Sequence, residues 1–399
     1  MIDGIIDKVT RRVVSGWARH RDGHNAVLPD LELRLTDGLI LRRPKPYERR
    51  DLGGPYGFEF TLPEKYIGLD WPIFAARFDG VYARDGERFV SLALFKTVLA
   101  GDGATSAAPL SNVERGLVCA ITDTMTPGFY FDLWYRYYSE QIGAENLHVL
   151  YLGSDVEAMK KYNLGSLINL PNVAYDNDQR AKFNSGIASS FCNYYENVIF
   201  CDTDEFVIPN PHKYDGIIDF CSKSSGDYFT AIGMDVFQMP SEKSLMFSDK
   251  MLGVQRKYGQ FNSPMCKTVL TRQPITWTKG FHSCSYYPNF GELYLFHLKR
   301  ADLEIRIAWS AFAKGVSFAS DANAKYHSRE ADAIREDYAK VSRLPRITGP
   351  ESLFDRGATY AEQVRQSVSF RPESQTFGVP AHMYDKAIVE IPSIFGERL

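Results

Sequence analysis

Three acidic residues stand together in the segment NVIFCDTDEFVIP, residues 197–209 of the 399-residue chain. Asp202, Asp204 and Glu205 directly follow one apolar run and directly precede another. Carboxylates are costly to bury unless they are paired or bind a cation. Two aspartates separated by one residue at a strand end supply hard oxygen ligands for a divalent metal that can bind a diphosphate. A solvated acidic turn with a helix N-cap is the alternative, and the apolar flanks favour the metal site.

Alternating strand and helix patterns surround this segment. Buried strands are predicted at RGLVCAIT, NLHVLYLGS and NVIFCD, and helices at YFDLWYRYYSEQIG and AKFNSGIASSFCNYY, where apolar residues recur at helical spacing. Strand-like runs return at YFTAIGM, KTVLTR and YLFHL, and helical segments follow near 302–314 and 330–342. This alternation predicts an α/β domain with a mostly parallel sheet and helices on both faces. Ligands bind beyond the carboxyl ends of such strands, where the acids lie.

The chain before this domain has a different pattern. Residues 1–100 contain short β-rich runs separated by turn residues, which predicts an all-β, sandwich-like domain. The dipeptides Asp37-Gly38 and Asp79-Gly80 suit tight hairpin turns. The small, polar segment 101–112 predicts a linker. We therefore expect an accessory domain at 1–100, the α/β domain at 113–315 and a helical or irregular C-terminal extension at 316–399.

Composition and charge narrow the class of protein. The formal net charge of −3 gives no strong attraction to nucleic acid or to an anionic membrane. The six cysteines form no CxxC pair, which predicts reduced, packed thiols rather than disulfides or a zinc site. The sequence shows neither a signal-peptide pattern nor an apolar stretch of about 18 residues. We therefore expect a cytoplasmic protein with at most peripheral membrane contact.

The acidic segment resembles the D-x-D-E-F segment of bacterial family-2-like glycosyltransferases of the GT-A fold. The likeness extends through LWYRYYSEQIGAENLHVLYLGS, QRAKFNSGIASSFCNYYENVIFCDTDEF and KTVLTRQPITWTKGFHS, and it covers roughly residues 115–310. In the first hundred residues, VVSGWA and RRDLGGPYGFEFTLP are similar to a β-module found attached to bacterial glycosyltransferases. The resemblance implies a GT-A catalytic domain, Rossmann-like with a mostly parallel sheet, over residues 113–315.

The resemblance also implies a metal site. In GT-A enzymes the D-x-D carboxylates hold Mn²⁺ or Mg²⁺, which bridges the phosphates of a nucleotide sugar and offsets charge on the departing diphosphate. Asp202 and Asp204 match the motif, and Glu205 supports the site from behind its ligands. A third ligand comes from later in the domain, which places it at His282 in TKGFHSCSYY. The alternative for His282 is a strand-end histidine that hydrogen-bonds to the backbone.

Further residues match positions that contact the donor in these enzymes: Asp123, Asp155, Lys182, Asn184, Lys267 and His297. Many relatives carry an Asn-Glu pair at the end of the first strand, where this sequence has Asp123. The alternatives are a helix N-cap for Asp155, a solvated helix face for Lys182 and a satisfied core histidine for His297.

The catalytic base is the least specified part of the site. An inverting transfer needs a carboxylate that takes the proton of the acceptor hydroxyl. The Glu-Asp pair of family 2 is absent between residues 205 and 300. Asp235, which ends a strand in AIGMDVFQMP, is the first candidate, and Glu292 and Asp249 are its rivals.

Together these observations predict a metal-dependent glycosyltransferase, with inversion favoured by the family likeness alone. It would move a sugar from a nucleotide-sugar donor to a hydroxyl of a bacterial surface glycan or glycolipid. A nucleotidyltransferase acting on a sugar phosphate is one alternative, although ITDTMTPG is not the Gly-rich, basic loop of that class. A non-catalytic carbohydrate-binding protein is the other, and the joint presence of Asp202, Asp204 and His282 is evidence against it.

Overall fold

The chain forms two compact units in the computed structural model, Met1–Val113 with Ser369–Gly378, and Glu114–Val368 with Val379–Leu399. The structure describes residues 115–399 except 172, 248, 350, 381 and 382, and in the first hundred residues the segments 2–9, 13–20, 28–35, 38–49, 54–67, 78–85, 88–91 and 93–94. The predicted linker at 101–112 lies outside the described residues. Of the predicted extension at 316–399, residues 369–378 group with the first unit and the rest with the second.

The first unit consists largely of β-strands. Its elements before residue 114 are β1 (Ile2–Val9), β2 (Val13–His20), β3 (Leu31–Leu35), β4 (Ile40–Arg42), β5 (Lys45–Arg49), β6 (Gly54–Thr61), α1 (Glu64–Ile67), β7 (Phe78–Asp85), β8 (Arg88–Ser91) and β9 (Ala93–Leu94). They form a sheet of order β5-β6-β2-β1-β9 and another of order β4-β3-β7-β8. The described part of residues 1–100 is therefore predominantly β, as the sequence predicts.

The two Asp-Gly dipeptides behave differently. Gly38 has a φ of +88° in the turn between β3 and β4, a conformation that suits glycine. Asp79-Gly80 instead lies inside β7, where Gly80 pairs with Arg34. The prediction of a turn there is wrong because Val81 and Ala83, both 0% exposed, continue the inward-facing side of the strand beyond the dipeptide.

The second unit alternates helices and strands. Its elements are β10 (Gly116–Thr124), α2 (Phe129–Ile142), β11 (Leu147–Tyr151), β12 (Ser166–Asn169), α3 (Asn177–Phe191), β13 (Tyr195–Phe200), β14 (Glu205–Pro209), α4 (Ile217–Lys223), β15 (Tyr228–Phe237), β16 (Tyr258–Phe261), β17 (Thr268–Thr271), β18 (Ser283–Cys284), β19 (Phe290–Arg300), α5 (Leu303–Ala313), α6 (Asp321–His327), α7 (Ala331–Ser342), β20 (Arg346–Ile347), α8 (Ser352–Ser367) and, after β21 (Ser369–Arg371) and β22 (Thr376–Gly378) of the first unit, β23 (Ile388–Glu390). The α/β class that the sequence predicts is confirmed.

The large sheet of this unit is mixed. Strands β10 to β13 are parallel to their neighbours, whereas β17 runs antiparallel to both β13 and β15. Beyond β13 the pairing is mixed, because β15 is antiparallel to β16 and β17 but parallel to β19. The prediction of a mostly parallel sheet therefore holds for the first four strands and is wrong for the sheet as a whole.

The four parallel strands create a crevice at one place. They follow in the chain as β10, β11, β12 and β13, but lie in the sheet in the order β12-β11-β10-β13. The order reverses between β10 and β13, so their connections leave on opposite sides and open a crevice beyond the strand ends. Helix α2 packs against this sheet through the face that the sequence predicts, with Phe131, Trp134, Tyr138 and Ile142 all buried.

All six cysteines are free and buried, as expected from their spacing. Burial raises the pKa of Cys201 to about 12, and the pKa values of Cys192 and Cys284 to about 11. Thiols in this state are poor nucleophiles. None of the described helices combines the length and the hydrophobicity that a membrane crossing needs.

Candidate functional site

A cavity of about 640 Å³ opens at the switch point between β10 and β13. Its polar wall carries Asp123, Arg180, Asp202, Asp204, Lys267, His282 and His297. Its apolar wall is formed mainly by α5, with Ile305, Trp309 and Phe312. The acidic segment therefore lies where the sheet topology predicts a ligand site.

Asp123, at the end of β10, is held by two residues of α3. Arg180 donates to both of its carboxylate oxygens, at 2.6 and 2.7 Å, and Asn184 donates to Oδ2 at 2.7 Å. Arg180 also contacts the Asp202 carboxylate. Residues four apart share a helix face, so α3 presents Arg180 and Asn184 together. The Arg180 guanidinium thereby holds the end of β10, at Asp123, beside Asp202.

Asp202 and Glu205 share one buried lysine. Lys267 Nζ lies 3.2 Å from Asp202 Oδ2 and 2.6 Å from Glu205 Oε1. Lys267 and Glu205 are only 4% and 1% exposed. Burial raises the pKa of Asp202, but Arg180 and Lys267 outweigh burial and hold that pKa well below its ordinary value. The first aspartate of the motif is therefore ionised and already paired with two cations.

Asp204 faces a histidine and a second carboxylate. His297 Nδ1 donates to Asp235 Oδ1 at 2.6 Å, and His297 Nε2 lies 3.5 Å from Asp204 Oδ2. Asn262 donates to the other Asp235 oxygen at 2.9 Å. Burial lowers the pKa of His297, but Asp204 and Asp235 raise it to about 10. Asp235 is 2% exposed and is not among the described residues that line the cavity, so it holds His297 from behind.

His282 lies on the cavity wall in a fixed orientation. Its Nδ1 donates to the Pro264 carbonyl at 2.6 Å, which leaves Nε2 as the acceptor nitrogen. Burial lowers the pKa of His282 to about 4, so the ring is neutral near pH 7. Gly280 has a φ of +70°, and a Cβ there would lie 2.6 Å from the His282 ring. Glycine at 280 thus makes room for the imidazole.

An aromatic ring supports both cations of the polar wall. Phe281 follows Gly280 and has a φ of +58°, which a bulky side chain rarely adopts. Its ring centroid lies 4.8 Å from the Arg180 guanidinium carbon and 5.7 Å from Lys267 Nζ. The strained turn therefore holds one aromatic face against two cations.

Five predicted site residues are not among the described residues that line this cavity: Asn184 and Asp235 contact lining residues from behind, and Asp155, Lys182 and Glu292 lie elsewhere. The Asp155 carboxylate accepts from the Ala158 N–H at 3.1 Å, as a turn-capping residue does. Lys182 is exposed on α3. Glu292 pairs with Lys213 at 2.7 Å and accepts from Asn210 at 2.9 Å. The other predicted site residues are brought together at the polar wall.

Arg180 is the main residue of the site that sequence reasoning missed. The motif match selected Lys182 and Asn184, but Lys182 is two positions from Arg180 and points about 200° away around the helix. Helical spacing identifies Arg180 correctly, because it is four residues before Asn184 and shares its helix face. Lys182 is two residues before Asn184 and lies on a different face.

The donor atoms of the polar wall test whether the site fits a metal. The carboxylates of Asp123, Asp202, Asp204, Glu205 and Asp235 pair there with Arg180, Lys267 and His297, and the cations Lys279, Lys299 and Arg306 also line the cavity. The ligand atoms of Asp204, Glu205 and His297 lie within 4.8 Å of one another. Carboxylate oxygens and an imidazole nitrogen are donors that suit a divalent ion such as Mn²⁺, and binding at His297 Nε2 would require loss of the proton that Asp204 and Asp235 stabilise on the ring. Asp202 and His282 line the same cavity without belonging to this group.

Stability is expected to fall between pH 6.5 and pH 4. Burial lowers the pKa values of His148, His282 and His327 to about 4, whereas an unfolded histidine titrates near 6.5. The unfolded state therefore binds more protons in this window, so the contribution of these three histidines to stability is complete above the window and is lost as the pH falls through it.

His148→Gln tests this expectation at a position away from the cavity. His148 is 6% exposed and contacts Ser166 and Tyr195. Each neutral buried histidine contributes at most about 1.4 kcal/mol per pH unit to the slope, so the variant should lose that share. Urea unfolding between pH 7.5 and 4.5 measures it, and an unchanged slope would contradict the assignment.

Comparisons with known proteins were made for the whole chain. No family model matches it, and no curated protein matches it. Among solved structures, one reported as "Structure of the Siderophore Interacting Protein from Acinetbacter baumannii" aligns at 9% identity, covering 51% of this chain and 78% of that chain, with a TM-score of 0.13. A likeness at that level carries no argument about fold or function.

Proposed function

We propose that this chain is a metal-dependent glycosyltransferase with a GT-A catalytic domain, which transfers a sugar from a nucleotide sugar to a hydroxyl of a glycan or glycolipid. One observation carries the proposal. The D-x-D carboxylates lie at the switch point of four parallel strands, in a cavity where the ligand atoms of Asp204, Glu205 and His297 lie within 4.8 Å of one another. Nucleotides bind at such switch points, and a diphosphate bound beside carboxylates needs a divalent cation between them. The family likeness favours inversion.

Asp204, Glu205 and His297 would hold Mn²⁺ or Mg²⁺, and His282 Nε2 offers a neutral donor on the same wall. When bound, the metal would offset charge on the departing diphosphate. Lys267 uses two of its three N–H donors on Asp202 and Glu205. We assign its remaining donor to the diphosphate oxygens.

Asp235 has a positioning role in this proposal. Its carboxylate accepts from His297 Nδ1 at 2.6 Å and lies behind that ring, so it does not reach the acceptor hydroxyl. It fixes which His297 nitrogen faces Asp204. Asp235 is therefore assigned to orientation of His297 rather than to proton removal from the acceptor.

Donor binding tests the proposal directly. A panel of UDP-, GDP-, dTDP- and CMP-sugars should include one that raises the melting temperature with Mn²⁺ and not with EDTA. Saturation at 100 times Kd corresponds to about 2.7 kcal/mol of stabilisation. The same donor should then be hydrolysed slowly without acceptor. Pyrophosphate release from a nucleoside triphosphate and a sugar phosphate would instead show a nucleotidyltransferase, and oligosaccharide binding without donor turnover would show a binding protein.

A further inference from the structure

One buried cation of the cavity, Arg306, forms no ion pair with the residues that the structure describes. Arg306 of α5 lines the apolar wall, and its side chain is 94% buried, since its relative exposure is 6%. Its Nη1 has no hydrogen-bond partner among the residues that the structure describes. A guanidinium removed from water without a partner costs several kcal/mol. Such a cost is expected where the partner is a ligand.

A second buried arginine, Arg256, lies beside carboxylates of the protein. Arg256 is 1% exposed, and its side chain donates to the Ala301 and Gln255 carbonyl oxygens. It also lies 3.5 Å from an oxygen of Asp302, the residue that caps α5. Its Nη2 forms no hydrogen bond with the described residues, as is also true of Arg306 Nη1, but Arg256 has two carboxylates beside it, those of Asp302 and Glu242. Arg306 lies one helical turn after Asp302 on α5, and no carboxylate of the described structure forms an ion pair with it.

The surroundings of Arg306 indicate what kind of group it meets. Trp309 and Phe312 follow it on α5, and both line the cavity with ring centroids 5.3 Å apart. Phe312 is 44% exposed although it is large and apolar. Aromatic faces of this kind stack on the apolar face of a sugar ring, and an arginine fork pairs with a planar or tetrahedral oxyanion.

We infer that α5 binds an acidic acceptor: a saccharide that stacks on Trp309 and places an oxyanion, as a sugar carboxylate or a phosphate ester, against Arg306. This inference rests on the proposed function, because it assigns the α5 wall to the acceptor of that same site. The donor diphosphate has its own cations, Lys267 and Arg180, on the polar wall. The α5 wall is therefore left for the second substrate.

Binding of simple probes to the full-length protein tests the inference without requiring turnover. The probes are methyl β-D-glucuronide for the carboxylate, glucose 6-phosphate for the phosphate ester and methyl β-D-glucoside as the neutral match, each titrated with Mn²⁺ present. We expect one anionic probe to bind about 10- to 100-fold more tightly than the glucoside, as a charged hydrogen bond contributes. Which anion binds identifies the source of the oxyanion.

Arg306→Gln should remove this preference, and Arg306→Lys should retain part of it. Arg335→Gln is the matched control, because Arg335 is an exposed arginine on α7. The melting temperature of Arg306→Gln should be unchanged or higher, since no ion pair is lost. A large drop in melting temperature would show a structural arginine and overturn the inference.

Equal binding of the three probes, or binding of none, would also overturn the inference. The two proposals fail separately. A protein that hydrolyses a nucleotide sugar but does not discriminate the probes retains its function and loses the acidic acceptor. A protein that discriminates the probes through Arg306 but turns over no donor retains an anionic saccharide site without the transferase.

Discussion

Asp204→Asn should lower metal-dependent donor turnover by about 100- to 1,000-fold, the loss found when one group that stabilises transition-state charge is removed. The Asp204 side chain is 22% exposed at the cavity and faces His297 at 3.5 Å. It takes part in the candidate metal group, and the structure gives it no bond to Arg180 or Lys267. Its carboxylate is therefore needed for charge at the cavity and contributes little to the buried network. Turnover is measured as nucleotide release against Mn²⁺ concentration.

The melting temperature of Asp204→Asn should stay close to that of the wild type. Asp155→Asn is the matched control, because Asp155 is exposed and its carboxylate accepts a hydrogen bond from the Ala158 N–H, away from the cavity lining. This control should keep full activity. Near wild-type turnover with the same Mn²⁺ requirement in Asp204→Asn would remove the central residue of the proposal.

Lys267→Met should lower the free energy of unfolding by about 3–5 kcal/mol, the usual result when a buried ion pair loses one partner. Lys267 is 4% exposed and neutralises Glu205, which is 1% exposed, and Asp202. The methionine side chain is close in length to that of lysine, but it leaves the carboxylates of Glu205 and Asp202 without this cation. Urea unfolding at pH 7 measures the loss.

The double variant Lys267→Met/Glu205→Gln distinguishes ion pairing from packing. Removing the buried charge of Glu205 together with its partner should recover part of the loss, because the two residues are directly coupled. Lys182→Met on the exposed side of α3 is the matched control, and its effect should remain within about 0.5 kcal/mol. If the double variant is as unstable as the sum of the single variants, Lys267 stabilises the fold by contacts other than this pair.

The sequence predicts local features of this molecule well. The apolar spacing of Phe131, Trp134 and Tyr138 predicts α2 and its buried face, because helical periodicity depends only on residues three or four positions apart. The position of the acidic segment is predicted for the same reason, since an apolar strand directly precedes it. Asp204 lies at the cavity as a result.

The partners of the acids could not be predicted in the same way. Lys267 contacts Glu205 across 62 positions of sequence, and Arg180 contacts Asp123 across 57. These pairs depend on sheet order and helix phase, which a motif match does not contain. The position of Asp235 in a strand is predicted correctly, but its partner His297 lies on β19, which is separated from β15 by 52 residues of chain. The antiparallel pairs of the sheet could not be predicted for the same reason.

The buried cysteines have a practical consequence for measuring the motions of this protein. Cys201 immediately precedes Asp202 and is 1% exposed. Its Sγ lies 3.1 Å from the Tyr138 hydroxyl. A maleimide or disulfide reagent reaches such a thiol only after the strand has separated from its neighbours. The rate of alkylation of Cys201 therefore measures how often this part of the fold opens. Because this cysteine is natural and lies beside the cavity, the measurement needs no engineered label.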